Sequence, residues 1–368
     1  MDLRDFILIL SIMFLCSNLS QAIGHSYNPK FDDQEYLHLS QIMSKGQFSH
    51  LVLLSTPYAY GYLFLSTIST AIELNIPLWI PATIEYIGLI CLIYLISLRI
   101  SGNRLVSYSI ALITLSSGFI VGYSQRILPD MFSGLILALG IYIMLSWRRR
   151  DAFFAGIIIG TLLFIKLGSA SIIIPILVGL LIFNKPALPF FIGTALMFLI
   201  FMISFGFNFS IFSSYSANQI ALSATSLIGN ITTIFIFFFP FPFITKAGIF
   251  SQIFSLGMLA TLSLIGIYIA YLRKDSAYAI WSFILIASIL YMMLGTESLT
   301  NYQPITIVSR YFELIAPLFA ILASYGLNEI YEGMHKRYSN PIAQISIASI
   351  TIISIILSLP MLVYFAGG

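Results

Sequence analysis

The sequence predicts an all-α, polytopic membrane protein, and three observations lead to that class. Hydrophobic residues make up 59% of the 368 positions and charged residues only 8%, whereas roughly 25% of the residues in a soluble domain are charged. The mean hydropathy is +0.98. Apolar runs of about 20 residues, long enough to cross a bilayer, recur along the whole chain. We therefore expect one transmembrane domain over 1–368, with no soluble C-terminal domain.

Composition also argues against several other classes. The net charge of +3 is too small to suggest a nucleic-acid partner. The two cysteines, Cys16 and Cys91, lie in apolar segments and predict no disulfide framework. The four histidines are scattered without acidic or cysteine neighbours at ligand spacing, which argues against a zinc site.

Basic residues predict the orientation, because Lys and Arg concentrate in the cytoplasmic loops of membrane proteins. One topology places every basic cluster inside. It has a cytoplasmic N-terminus, about eleven spans and an external C-terminus. The five clusters are Arg99 with Arg104, Arg148 to Arg150, Lys185, Arg273 with Lys274, and His335 to Arg337.

The spans follow in order. The first covers 6–23. Within it, Ser20-Gln21-Ala22 resembles a signal cleavage site. The residues that precede the span are not basic, however, so we expect the span to be retained. An external loop over 25–81 follows, with a surface helix near 36–45 and an aromatic stretch at 57–62 that suits the membrane interface. The other predicted spans are 82–98, 105–123, one that ends at Trp147, 152–166, one that ends at Asn184, one that ends at Phe205, 251–272, 277–294, 311–330 and 342–365.

The segment 206–248 does not suit an ordinary span. It begins polar and ends in a phenylalanine-rich run that contains Pro240 and Pro242. In the predicted topology, the next span begins on the same side of the membrane where the previous span ends, so this segment must return to the side it left. We therefore expect an external loop with re-entrant or surface-lying parts.

The predicted external side collects most of the charged residues that could do chemistry. Ionisable groups at membrane depth are costly and by default mark a site. Each also has a plainer explanation: Lys166 could snorkel, Arg126 could simply pair with Asp130, Arg310 could anchor a helix end, and Glu297 could be a solvated loop acid. The residues on this side are Asp32, Asp33, Glu35, Arg126, Asp130, Lys166, Glu297 and Arg310.

Four motifs lie in order along this side. The first is the acidic sequence from Asp32 to Tyr36, and the second runs from Arg126 to Asp130 and opens an apolar helix. In the third, a glycine-rich helix leads to Lys166. The fourth begins with Arg310 and continues through a proline to Tyr325-Gly326-Leu327. Together the motifs resemble those of GT-C membrane glycosyltransferases of the protein-O-mannosyltransferase and aminoarabinose-transferase type.

The resemblance implies transfer of a sugar from a polyprenyl-phosphate carrier to a lipid, glycan or protein acceptor at the extracytoplasmic face. It implies Asp32 as general base, Asp33 as a residue that orients a cation or a donor hydroxyl, and Asp130 as a residue that holds Arg126 or assists the base. Tyr36 is a further substrate-binding candidate. Lys166, Arg126 and Arg310 would hold the lipid phosphate.

The sequence departs from the family pattern at Asp33, where the family usually has Glu, and in the missing soluble domain, which leaves the acceptor open. No cofactor is required, although a divalent cation such as Mg or Mn could bind at Asp32 and Asp33.

The alternative hypothesis is a non-enzymatic transporter or flippase of lipid-linked sugars, which should carry polar groups near mid-bilayer.

Overall fold

The computed structural model describes residues 2–24, 32–46, 61–124, 126–205, 258–294 and 311–367. All regular structure in these ranges is helical, which confirms the predicted all-α class. Short 3₁₀ segments over Thr161–Phe164 and Leu167–Ile172 follow α8. The α-helices are α1 Leu3–Gly24, α2 Asp32–Ser44, α3 Tyr62–Glu73, α4 Trp79–Ser101, α5 Arg104–Leu115, α6 Gly118–Tyr123, α7 Pro129–Met144, α8 Arg149–Gly160, α9 Ile173–Ile182, α10 Ala187–Ser204, α11 Met258–Arg273, α12 Ser276–Leu294, α13 Tyr311–Arg337 and α14 Asn340–Gly367.

Five of the described helices are long and apolar enough to cross a membrane, as expected for an integral membrane protein. They are α1, α4, α10, α13 and α14. Several other helices, among them α5, α7 and α11, are apolar but shorter than 18 residues. The total of about eleven spans therefore stays a prediction, and the segment 206–248 lies outside the described residues.

Helix α13 occupies the centre of the bundle and packs against α4, α5, α7, α11, α12 and α14. Its apolar side chains from Ile315 to Ala323 are fully buried. Glycines bring other helices close together. A Cβ atom on Gly156 of α8 would lie 2.2 Å from the main-chain oxygen of Phe190 on α10. The glycines of the third motif thus serve close helix packing.

Two predicted spans are interrupted. The span predicted over 105–123 breaks after Leu115 into α5 and α6, with Ser117 in an extended conformation. The Ser116 hydroxyl donates to the main-chain oxygen of Ile113, and a serine bonded in this way competes with helix continuation. The span predicted over 152–166 is α-helical only to Gly160 and then tightens into 3₁₀ turns.

The loop that the sequence predicts to be external contains two described helices. Helix α2 begins at Asp32, four residues before the predicted surface helix, and α3 begins at Tyr62, the last residue of the aromatic stretch. The two helices pack against each other, and α3 also contacts α4 and the 3₁₀ segment that follows α8. They therefore lie against the end of the bundle where α8 finishes.

The basic clusters meet at the opposite end of the bundle, which we call the basic end. Arg99, at the end of α4, donates to the main-chain oxygen of Tyr142 near the end of α7 over 2.9 Å. Arg104, at the start of α5, contacts Asp2 and lies 2.7 Å from Asp5 at the start of α1. The first cluster therefore lies beside the end of α7, which leads into the second cluster at Arg148 to Arg150.

The other clusters belong to the same end. The ammonium of Lys185 lies 5.0 Å from the ring of Trp147, which in turn lies 5.5 Å from the ring of Trp281 at the start of α12. Arg273 binds Glu329 near the end of α13 at 2.6 Å. All five basic clusters therefore share one end, as a single cytoplasmic face would require.

Candidate active site at the carboxylate end

The opposite end of the bundle, which we call the carboxylate end, is where α4, α7 and α13 begin and α8 finishes. Its central feature is an ion pair between Asp130 and Lys166, with 2.6 Å between Oδ1 and Nζ. The two side chains are only 2% and 11% exposed. A lysine that merely snorkelled would hold its ammonium in water, so the snorkelling explanation does not fit this geometry.

The local sequence explains how Asp130 and Lys166 are positioned. Pro129 occupies the first position of α7, where a missing N–H costs nothing, and Asp130 follows in the first turn, where a negative charge is favoured. Lys166 has an extended backbone between the two 3₁₀ segments, with φ −160° and ψ 117°. The chain reverses direction here: α8 runs toward the carboxylate end, and α9 runs away from it. The Lys166 side chain reaches Asp130 on α7.

The ion pair joins two motifs that are far apart in the sequence. Asp130 pairs with Lys166, 36 residues away, and the expected pairing of Asp130 with Arg126, four residues away, stays a prediction. A lysine ammonium has three N–H donors. An ion pair with Asp130 therefore does not by itself preclude contact between Lys166 and a phosphate.

Aromatic contacts connect the acidic motif to this pair. The Tyr36 ring, 4% exposed on α2, packs edge-on against Phe64 of α3 with 5.4 Å between ring centroids. Phe64 lies 6.5 Å from Phe132, two residues beyond Asp130 on α7. Tyr36 thus packs α2 against α3, and α3 contacts α7, which carries Asp130. These contacts bring the first motif to the same end of the bundle as the second and third motifs.

The remaining predicted site residues are described in part or not at all. Asp32 and Asp33 lie in the first turn of α2, but their side chains lie outside the described part. Arg126 is half-buried just before α7, and its main-chain oxygen accepts a hydrogen bond from Leu128. Arg310 and Glu297 lie outside the described residues.

Two acids at this end were missed from the sequence. Glu313, in the first turn of α13, is fully buried, and Glu85, in the second turn of α4, is 5% exposed. The signal that could have found them is an acid inside an apolar helix, because such residues are costly to bury. In the sequence, Glu313 stands out only as a neighbour of Arg310, and Glu85 has no basic residue nearby.

The described residues contain no group of three or more His, Cys, Asp and Glu side chains that could hold a metal ion. A cation at Asp32 and Asp33 stays a prediction. No family model matches the chain, and no curated protein matches it significantly.

Proposed function

We propose that this protein is a membrane glycosyltransferase that moves a sugar from a polyprenyl-phosphate carrier to an acceptor at the extracytoplasmic face. The observation that carries the proposal is the buried Lys166–Asp130 pair at the end where α2 presents the acidic motif. A cation held near carboxylates at a membrane surface suits a reaction that binds a phosphate and removes a proton.

In the proposed reaction, the acceptor oxygen attacks the anomeric carbon of the donor sugar. The bond between that carbon and the phosphate oxygen breaks, and the polyprenyl phosphate leaves with the electron pair. Asp32 takes the acceptor proton, which requires position more than unusual basicity because the leaving group is good. Lys166, Arg126 and Arg310 bind the phosphate and offset its developing charge.

The distribution of charge favours this function over the transport alternative. Among the described residues, charged side chains occur toward the two ends of the bundle, and Glu85 lies in the second turn of α4. A transporter would be expected to line a path through the middle with polar groups. The described interior between the ends is instead filled by apolar side chains with scattered serines and threonines.

The proposal is tested by incubating the purified protein with radiolabelled polyprenyl-phosphate sugars and a panel of lipid, glycan and peptide acceptors. Transfer of label to any acceptor, together with release of polyprenyl phosphate, is the expected result. Movement of intact lipid-linked sugar across a proteoliposome membrane without transfer would support the transport alternative and contradict the proposal.

A further inference from the structure

Glu85 is a buried carboxyl group that the proposed reaction has not used. Its side chain is 5% exposed, and its Oε1 has no hydrogen-bond partner within the described part of the chain. Buried polar atoms in native proteins are almost always hydrogen-bonded, so an unsatisfied one points to a missing ligand, water or ion.

The helical register shows where Glu85 points. Helices α4 and α7 begin at the same end and pack side by side. A Cβ atom on Gly88 would lie 3.0 Å from the Leu135 side chain, and the Leu89 side chain lies 3.7 Å from the place of a Cβ atom on Gly134. Glu85 precedes Gly88 and Leu89 by three and four residues. It therefore faces α7 as well, one turn nearer the carboxylate end.

The same register places Glu85 beside the ion pair. Asp130 precedes Gly134 by four residues, just as Glu85 precedes Leu89, so the two acids lie at the same level of neighbouring helices. The main-chain oxygen of Glu313 would lie 2.7 Å from a Cβ atom on Gly134. Because helical side chains lean toward the N-terminus of their helix, the Glu313 side chain extends toward this level too.

We propose that Glu85 binds a hydroxyl group on the sugar of the polyprenyl-phosphate donor, next to the phosphate held by Lys166. This inference rests on the proposed function. A sugar hydroxyl both donates and accepts hydrogen bonds, so it satisfies a carboxyl group in either protonation state. A phosphate beside Glu85 would add negative charge to a level that already holds Asp130 and Glu313.

The chemistry of the donor matches the separate roles proposed for Lys166 and Glu85. In a sugar phosphate, an anionic group and several neutral hydroxyl groups are neighbours on one small molecule. Lys166 offers a cation for the anion, and Glu85 offers a hydrogen-bonding group one helix away. Glu85 would then recognise the sugar and contribute little to binding of the bare lipid phosphate.

The test compares wild type with Glu85→Met, Glu85→Gln and the matched control Glu73→Met, which replaces an exposed glutamate at the end of α3. The probes are undecaprenyl phosphate and dolichyl phosphate, each alone and each carrying glucose, mannose, galactose or 4-amino-4-deoxyarabinose. Affinities would be measured for the purified protein in nanodiscs, and melting temperatures would be measured without lipid.

We expect wild type to bind one sugar-bearing lipid more tightly than the bare lipid. Glu85→Met should weaken that binding about fivefold or more and leave the bare lipid unaffected. Glu85→Gln should retain most of the affinity, because an amide also donates and accepts. Glu73→Met should change neither affinity. The melting temperature of Glu85→Met should not fall, because the substitution removes an unsatisfied polar group.

Tight wild-type binding of a sugar-bearing lipid that Glu85→Met leaves unchanged would overturn this inference and leave the proposed function standing. Equal weakening of both lipids, or a lower melting temperature, would assign Glu85 to the fold and also overturn it. If wild type bound neither lipid, the proposed function itself would fail, and the inference with it.

Discussion

The two ends of the bundle carry their charges in different surroundings. At the basic end, the arginines of three ion pairs, Arg104, Arg150 and Arg273, are 41%, 80% and 56% exposed, although their carboxylate partners are largely buried. At the carboxylate end, Lys166 and Asp130 are almost completely buried. Charges at a solvated surface cost little and can serve orientation alone, whereas buried charges require a compensating role. This difference supports the proposal that the basic end sets the topology and the carboxylate end carries the chemistry.

The largest effect is expected from neutralising the proposed base. Asp32→Asn should lower turnover by about 10²–10⁴ and leave donor binding largely intact, because asparagine keeps the size of the side chain but cannot take the proton. Sugar transfer under saturating donor would measure this, with Glu332→Gln near the basic end as the control. If Asp33→Asn or Asp130→Asn abolished turnover while Asp32→Asn did not, the base would be assigned to the wrong residue.

The second prediction compares the two ends directly through stability. Lys166→Met leaves the Asp130 carboxylate buried without the ammonium and should cost about 3–5 kcal/mol, as for other buried pairs that lose one partner. Arg273→Met removes a partner of Glu329 from a more exposed pair and should cost about 0–1 kcal/mol. Thermal unfolding of the purified variants in one detergent would measure both.

The double variant Lys166→Met with Asp130→Asn sharpens that comparison. It removes both charges, so part of the stability lost in Lys166→Met should return. Equal destabilisation by Lys166→Met and Arg273→Met would mean that the two ends do not differ in the way that their burial indicates.

A smaller effect is expected at Arg310, which lies outside the described residues. Arg310→Lys keeps the charge but loses the planar fork that contacts a phosphate through two bonds. The loss of one charge-assisted hydrogen bond should weaken donor binding about tenfold. Arg273→Lys at the basic end is the matched control and should bind the donor as wild type does; an unchanged affinity in Arg310→Lys would remove Arg310 from the site.

The smallest effect is expected from Asp151 at the basic end. A hydrogen bond from the Ser146 hydroxyl lowers the pKa of Asp151; partial burial opposes this, and Arg150 and Arg148 add to it. Because the pKa is lowered on folding, its contribution to stability is present above the unfolded value, about 3.9, and is lost as the pH falls through the folded value. Asp151→Asn should therefore melt slightly below wild type at neutral pH, and the gap should close as the pH falls below the unfolded value and through the lower folded value. A gap that widened in acid would contradict this.

The helical class could be predicted from the sequence because apolar runs separated by basic turns are a strong local signal. Helix contacts could not. In a membrane protein, both lipid-facing and core-facing positions are apolar, so the pattern does not show which faces meet. The central position of α13 and the close approach of α8 to α10 at Gly156 therefore become visible only in three dimensions.

The site shows the same limit. The motifs identified Asp130 and Lys166 separately, but the sequence offered Arg126 as the local partner, because a contact between residues 36 positions apart leaves no spacing signal. The apolar sequence around Lys166 predicts a continuous helix, whereas the chain forms two 3₁₀ segments with an extended Lys166 between them. Glu85 lacked any sequence neighbour that suggested a role, and only its burial and its unsatisfied oxygen distinguish it.

The central claim is that the two ends face opposite sides of the membrane, with the carboxylate end outside. Single cysteines would be placed at Gln41, exposed on α2, and at Arg150, exposed at the basic end, in a Cys16→Ala, Cys91→Ala background. Intact cells would then be treated with a membrane-impermeant maleimide. The account predicts that Gln41→Cys is labelled in intact cells and that Arg150→Cys is labelled only after lysis. Labelling of both in intact cells, or of Arg150→Cys alone, would contradict it.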